Sequence, residues 1–425
     1  MIALIAAVML HWLVLNDIHL NPYDSGPPAM RGEDTNAALF DASVREMVKR
    51  VPNASVIVIS GDLLAHHFPT LAHSAHQEPY AAAVSTIRAI ASKLNAAFPK
   101  AQFLIAVGNN DDPCGDYRSE AEGTYNAAVA RVFAPLVDRH GSSPGFIADY
   151  TRGAYYTAAL PNGLRGVVTN SVFWSFFYRG SCQVNVRDPG AKEMQWLAQT
   201  LSSGHNVVVM HMPPGYDPES TTDAHRLLPI PFLRSHFDDE LRGLLDQDRS
   251  NVPFAIAGHT HRYDFRLPSG VPMLIASSLS PVYDNEPAFF RVDIDGETVH
   301  DVMPYSYDSD LGWIPQQSFD RMFGVNAFTA PELYQLSRRI AGDPDLRARW
   351  EQAYDGWGYS MNDVTTHRWQ TYRCAQVAFG EAYARCAGTY VRSATNLVVL
   401  AALLIIVVVA AAVLIVTWKR PTPSL

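Results

Sequence analysis

With 425 residues, 48% of them hydrophobic and 18% charged, the chain has the composition of one large folded domain or two ordinary ones, which excludes a disordered protein. A net charge of -9 excludes a general nucleic-acid binder. Four cysteines with no CxxC pair are too few for a disulfide scaffold and argue against a cysteine zinc site.

Met1–Leu10 is apolar and no basic residue precedes it, so it reads either as a short signal peptide or as the start of the first buried strand. Short β-branched runs then recur, each ending in polar residues. Trp12–Leu15 ends at Asn16-Asp17-Ile18-His19, and Val56–Ile59 ends at Ser60-Gly61-Asp62. Phe103–Val107 ends at Gly108-Asn109-Asn110-Asp111, Val207–Met210 at His211, and Phe254–Ala257 at Gly258-His259-Thr260-His261. Such runs predict buried strands. Between them, Ala37–Lys49, Tyr80–Ala97 and Ala191–Leu201 predict helices. Strand–helix alternation predicts a layered α/β fold, in which polar groups at the C-terminal strand ends converge on a ligand. Further strands at Tyr155–Leu160, Gly166–Asn170, Pro272–Ser277 and Phe289–Ile294 build the second half of a sandwich.

From about Tyr305 the texture changes. Thr329-Ala330-Pro331-Glu332 predicts a capping box opening a helix through Ile340, and Asp343-Pro344 a second N-cap. Trp350, Trp357 and Trp369 follow, in a helical extension packed against the preceding domain. Leu397–Trp418 is 22 residues without a charge, followed by Lys419 and Arg420, and predicts one transmembrane helix. The expected plan is therefore 1–10 as leader or first strand, 11–304 as catalytic domain, 305–395 as helical extension, 397–418 as span and 419–425 as a short tail. Charge around the span leaves its orientation open. Asn53-Ala54-Ser55 is the one glycosylation sequon. Cys374 and Cys386 read either as a disulfide in an oxidising compartment or as two buried thiols.

The chemistry lies in the strand ends. Asp17, His19, Asp62, Asn109, His211, His259 and His261 make two carboxylates, four imidazoles and an amide. That balance suits two divalent ions: carboxylates hold them, Asp62 is the candidate bridge, and neutral ligands preserve the charge that attracts a phosphate. Two ions, less two carboxylates and a bridging hydroxide, leave roughly one positive charge. The expected reaction is in-line attack of that hydroxide on phosphorus, with a nearby acid protonating the leaving oxygen. Strand alternation is expected to aim Asp17 and His19 to one side. His66, four residues after Asp62, is preferred over His67 as the acid. Asp111 and Asp112 are candidates either to orient ligands from behind or to make turns. Phe173, Trp174, Phe176 and Phe177 read as core or as the wall of a cleft.

Taken together, Asp-x-His, Gly-Asp, Gly-Asn-x-Asp, a later His and Gly-His-x-His resemble the calcineurin-like metallophosphoesterase superfamily. Several stretches are most similar to its acid sphingomyelinase-like phosphodiesterases and endopolyphosphatases. These are Asn16–Pro22, Gly61-Asp62 with His66, Thr169-Asn170-Ser171, Gln195-Trp196-Leu197 with His211-Met212-Pro213-Pro214-Gly215, and Ser280-Pro281-Val282-Tyr283. The resemblance implies a four-layer α/β/β/α sandwich, a phosphodiesterase and two metal ions, with zinc implied and manganese or iron open. It also implies a lumenal, vacuole- or lysosome-like, or extracellular catalytic domain, with a tail-anchored protein facing the cytosol as the rival. Asn110 replaces the usual histidine, which shifts leaving-group protonation toward His66 and leaves Asn110 to hydrogen-bond a phosphate oxygen. Ala65 stands where purple acid phosphatases need tyrosine. The expected partner is a small phosphate compound: a nucleotide, a phosphodiester or polyphosphate. Asn110 also fits an endopolyphosphatase. A non-catalytic binding protein on the same fold is the alternative from another class.

Overall fold

The computed structural model describes residues 9–161, 163–222, 229–357 and 368–388. The expected span at 397–418, its tail at 419–425 and most of the N-terminal run lie outside them. Among the described residues, no helix is long and apolar enough to cross a membrane.

In chain order the strands are β1 (Leu10–Leu15), β2 (Val56–Ile59), β3 (Gln102–Ile105), β4 (Tyr156–Ala159), β5 (Arg165–Val168), β6 (Asn206–Val209), β7 (Tyr216–Asp217) and β8 (Ile230–Pro231). They continue with β9 (Phe254–Ala257), β10 (Asp264–Arg266), β11 (Met273–Ile275), β12 (Ala288–Asp295), β13 (Thr298–Asp308) and β14 (Gly312–Pro315). One six-stranded sheet runs β14-β13-β12-β1-β2-β3, the other β10-β11-β9-β6-β5-β4. Their centres, β1-β2-β3 and β5-β6-β9, are parallel. Parallel strands are buried on both faces, which is why these segments read as unbroken apolar runs.

The sheets face each other. Trp12 of β1 meets Phe254 of β9 at 5.6 Å between ring centroids. Gly166 of β5 lies so close to Leu104 of β3 that a Cβ there would collide with it. Outside the first sheet, helices 37–50 and 79–97 bury Phe40, Met47, Ile87 and Leu94 in the shared core. Outside the second, helices 189–201 and 235–247 bury Met194, Leu197, Phe237 and Leu241. Their starts follow local chemistry. Asn36 accepts from Leu39 N, and Glu78 and Asp188 cap helices that each open with proline.

The sheet continues through β14 to Pro315, so the change of texture near Tyr305 falls inside β13 rather than at its end. Beyond it, Asp343 caps helix 344–354 by accepting from Asp345 N and Leu346 N. Thr329 stands at the N-cap of helix 330–342 but makes no side-chain cap bond, and Glu332 accepts from Asn326 instead. The expected capping box is therefore a cap by position only. Cys374 pairs with Cys386, and Cys114 with Cys182. The second pair is separated by 68 residues and had no signal in the sequence. Asn53 is exposed in the turn before β2.

Candidate metal centre

Asp17 and His19 follow β1, Asp62 follows β2, Asn109 follows β3, His211 follows β6, and His259 and His261 follow β9. Backbone bonds draw these loops together: Asp17 N donates to Gly61 O (3.2 Å), His19 N to Asp62 O (2.9 Å) and Gly258 N to His211 O (3.0 Å). All seven side chains meet in one cluster, His259 being the least buried. Glycine is required at two approaches, since a Cβ on Gly108 would strike the Asp62 carboxylate and one on Gly258 the Asp17 carboxylate.

The aim of Asp17 and His19 corrects the expectation of strand alternation. β1 ends at Leu15, and both residues lie beyond it in left-handed backbone, φ 48° and 46°. Asp62, His259 and His261 share that conformation, with φ of 53°, 70° and 57°. Non-glycine residues hold it only where surrounding structure enforces it, and such strain concentrates at functional sites.

Donor atoms face each other across short distances. Asp62 Oδ2 is 3.4 Å from both His19 Nε2 and His211 Nε2. His19 Nε2 is 3.1 Å from His261 Nε2, and His211 Nε2 is 3.0 Å from Asn109 Oδ1 and 3.1 Å from His259 Nδ1. Asp17 Oδ1 lies 3.8 Å from His261 Nε2 and from His211 Nδ1. The far nitrogens are anchored: His19 Nδ1 on Leu64 O (3.1 Å), and His211 Nδ1 on Ser60 O (3.0 Å). A carbonyl only accepts, so each Nδ1 carries hydrogen and each Nε2 points inward, where His19 presents a lone pair and His211 would present one on losing its second proton. His261 Nδ1 is buried with no hydrogen-bond partner. So many converging acceptors fit cations, and carboxylate–imidazole–amide is a divalent-metal donor set.

Electrostatics agree. Burial pushes the Asp17 carboxyl up to about 7. Burial drives His19 down to about 4 and His259 to about 3, and holds His261 well below its ordinary value. Burial raises Asp62 too, but the His211 and His19 imidazoles outweigh it and hold it well below the carboxylate range. Burial lowers His211, yet Asp62 beside it lifts it to about 9. A proton on His211 thus occupies the place where positive charge is wanted.

The two residues assigned reactive roles sit beside the cluster. His66 stacks on His19 at 4.1 Å, while His67 faces solvent. Asp34 accepts from His66 N and binds its Nδ1, both at 2.8 Å, leaving Nε2 3.3 Å from Tyr283 Oη. Burial lowers His66, but the Asp34 bond and charge raise it overall. Asp34 lies 32 residues from His66 and carries no motif of its own, so sequence reading missed it. Asn110 donates its backbone N–H to Asp62 Oδ1 (2.8 Å) and an amide hydrogen to Oδ2 (2.9 Å). It holds the central carboxylate rather than standing alone in the cleft. Asp111 accepts four backbone N–H groups, from Asp62, Leu63, Leu64 and Gly108. Asp112 makes the neighbouring turn by accepting from Cys114 N.

A cleft of about 320 Å³ opens beside His259, lined by Tyr117, Phe232, Tyr283, Asp217 and Glu219. The aromatic run divides between the two readings: Phe173 and Trp174 are core, whereas Phe176 and Phe177 are exposed, and Phe177 packs on Tyr117 at 5.3 Å. Two nearby arginines are already engaged, Arg262 by residues of the cleft wall itself. Arg262 reaches Tyr283 O and Glu219, and Arg266 donates to Pro214 O and Tyr216 O.

A sequence profile described as Calcineurin-like phosphoesterase matches residues 10–263. Sphingomyelinase phosphodiesterase D of Dictyostelium discoideum is 24% identical over 338 residues, covering 74% of this chain and 71% of that protein. A human protein named cyclic GMP-AMP phosphodiesterase SMPDL3A is 24% identical over 214 residues, covering 47% of this chain and 44% of its own length. Among solved structures, a Danio rerio dimetal phosphatase matches at a TM-score of 0.46 and 12% identity, covering 75% of this chain and 99% of that one.

Proposed function

The chain belongs to the calcineurin-like phosphoesterase family, and from that premise we propose that it hydrolyses small phosphodiesters, nucleotide-like ones foremost, using two divalent ions. The carrying observation is Asp62, whose Oδ2 lies 3.4 Å from an imidazole on either side. Asp17, His19 and His261 would share one ion with it, and Asn109, His211 and His259 the other. When bound, the ions supply Lewis-acid charge and a water acidified toward neutrality. The imidazole-rich, thiol-free donor set favours zinc, with manganese or iron as the other candidates.

The chain's own groups do the rest. Asp34 orients His66, whose Nε2 lies 3.3 Å from the hydroxyl of the cleft-lining Tyr283 and would donate the proton that the leaving oxygen needs. Asn110 steadies Asp62. Tyr117, Phe177 and Tyr283 offer rings to an aromatic or apolar substrate group. Asp217 and Glu219 in the cleft, with no lysine among the described lining residues, disfavour a polyanion, so endopolyphosphatase is the second reading. The names of the relatives point the same way. A non-catalytic binding protein is harder to reconcile with a complete donor set. The two disulfides support an oxidising compartment, lumenal or extracellular. The apolar run at 397–418 is proposed to anchor the domain there, which protease protection in sealed vesicles would test.

The decisive experiment is metal analysis with a substrate panel of bis-p-nitrophenyl phosphate, ATP, a cyclic dinucleotide, polyphosphate and sphingomyelin, run on wild type and His211→Ala. Two ions per chain and hydrolysis lost in the variant are expected. Equal activity in the two proteins would remove the mechanism.

A further inference from the structure

We infer that Asp116 is a positioning residue that sets which end of the Asn109 amide faces the metal cluster, an inference that rests on the two-metal reading above. An amide has two ends of nearly the same shape and opposite chemistry, and only its oxygen can ligate a cation. Nothing in the identity of Asn109 decides which end points inward. The structure supplies a decision. Asn109 Nδ2 donates to Asp116 Oδ1 at 2.8 Å, and Asn109 Oδ1 lies 3.0 Å from His211 Nε2. A carboxylate has no hydrogen to give, so it accepts only the amide NH2. The flipped amide would press oxygen against carboxylate and turn two hydrogens toward the cations.

The loop bearing Asp116 is itself fastened, so this contact is not a chance meeting of mobile chains. Tyr117 N donates back to Asn109 O at 3.0 Å, which closes the segment 109–117 on itself. Cys114 is bonded to Cys182 on the facing loop. Arg179 N donates to Tyr117 O at 2.8 Å, and Arg118 Nη1 to Arg179 O at 3.0 Å. Glu120 accepts from the backbone of Cys182, Gln183 and Val184. None of these ties involves the seven clustered side chains. Asp116 is therefore held from outside the cluster, on the exposed side of the loop, and its hydrogen bond to the cluster is the one to Asn109.

The test uses the full chain and compares Asp116→Ala and Asp116→Asn with wild type. Asp116→Asn matters because an introduced amide can donate to Asn109 Oδ1 and so stabilise the wrong end, which a purely steric role would not register. The readout is zinc affinity and stoichiometry, by chelator competition and metal analysis, beside thermal melting and kcat against KM. The expected result is an unchanged melting temperature of the metal-free chain, one of two zinc affinities weakened about 10–100-fold in both variants, and kcat recovered at high zinc. Two zinc ions bound by both variants with wild-type affinities would overturn the inference while leaving the two-metal reading intact. A wild type that binds no zinc, manganese or iron would remove both.

Discussion

The strand-end loops and the C-terminal helices both bury polar groups, and they do so in opposite ways. At the strand ends, acceptors face acceptors, five side chains sit on left-handed backbone and His261 Nδ1 has no partner. On β10, against which the C-terminal helices pack, two buried charges are answered. Asp264 accepts from Trp350 Nε1 (3.2 Å) and Gln376 Nε2 (2.8 Å), and Arg266 caps two carbonyls. Buried polar atoms without a partner occur in both regions, Tyr263 Oη and Gln376 Oε1 beside the helices among them, so what sets the strand ends apart is the convergence of ligand-type side chains on left-handed backbone.

Three measurements would break or sharpen that contrast. The largest effect belongs to the loops. His66→Ala is expected to lower kcat by about 10²–10⁴-fold on substrates whose leaving oxygen needs a proton. The loss on bis-p-nitrophenyl phosphate should be much smaller, because p-nitrophenolate leaves unaided. Equal losses on both substrates would strip His66 of that role, whereas metal-free stability should be little changed.

The second concerns stability and pH at β10, under the C-terminal helices. Burial pushes Asp264 up to about 6 from an ordinary value of 3.8. Between those values the folded protein keeps a proton that the unfolded chain releases. Asp264 therefore favours folding most below pH 3.8, and that contribution is lost as pH rises to about 6, in total on the order of 3 kcal/mol. Asp264→Asn should flatten this part of the urea-midpoint profile and leave kcat alone. An unchanged slope would mean that Asp264 titrates alike in the folded and unfolded chains.

The smallest effect separates two caps that look alike in sequence. Asp343→Ala should cost about 1 kcal/mol, since it loses bonds to two backbone N–H groups. Thr329→Ala should cost less than about 0.5 kcal/mol, because Thr329 makes no such bond. Similar shifts in denaturation midpoint would count against the difference between them.

The sequence by itself determined the strands, the main helices and the roster of candidate ligands, because each rests on neighbours in the chain. An apolar run buried on both faces needs only its own residues to be legible, and Asp343-Pro344 carries its cap in two letters. The tertiary structure decided everything that depends on residues meeting from afar. It aimed Asp17 and His19 by backbone strain rather than by alternation, paired Cys114 with Cys182, set Asp34 behind His66 and Asp116 behind Asn109. Such contacts form across the fold between groups with no common period or spacing. A side chain's orientation is set by what surrounds it, and that surrounding exists only once the two sheets have closed on each other.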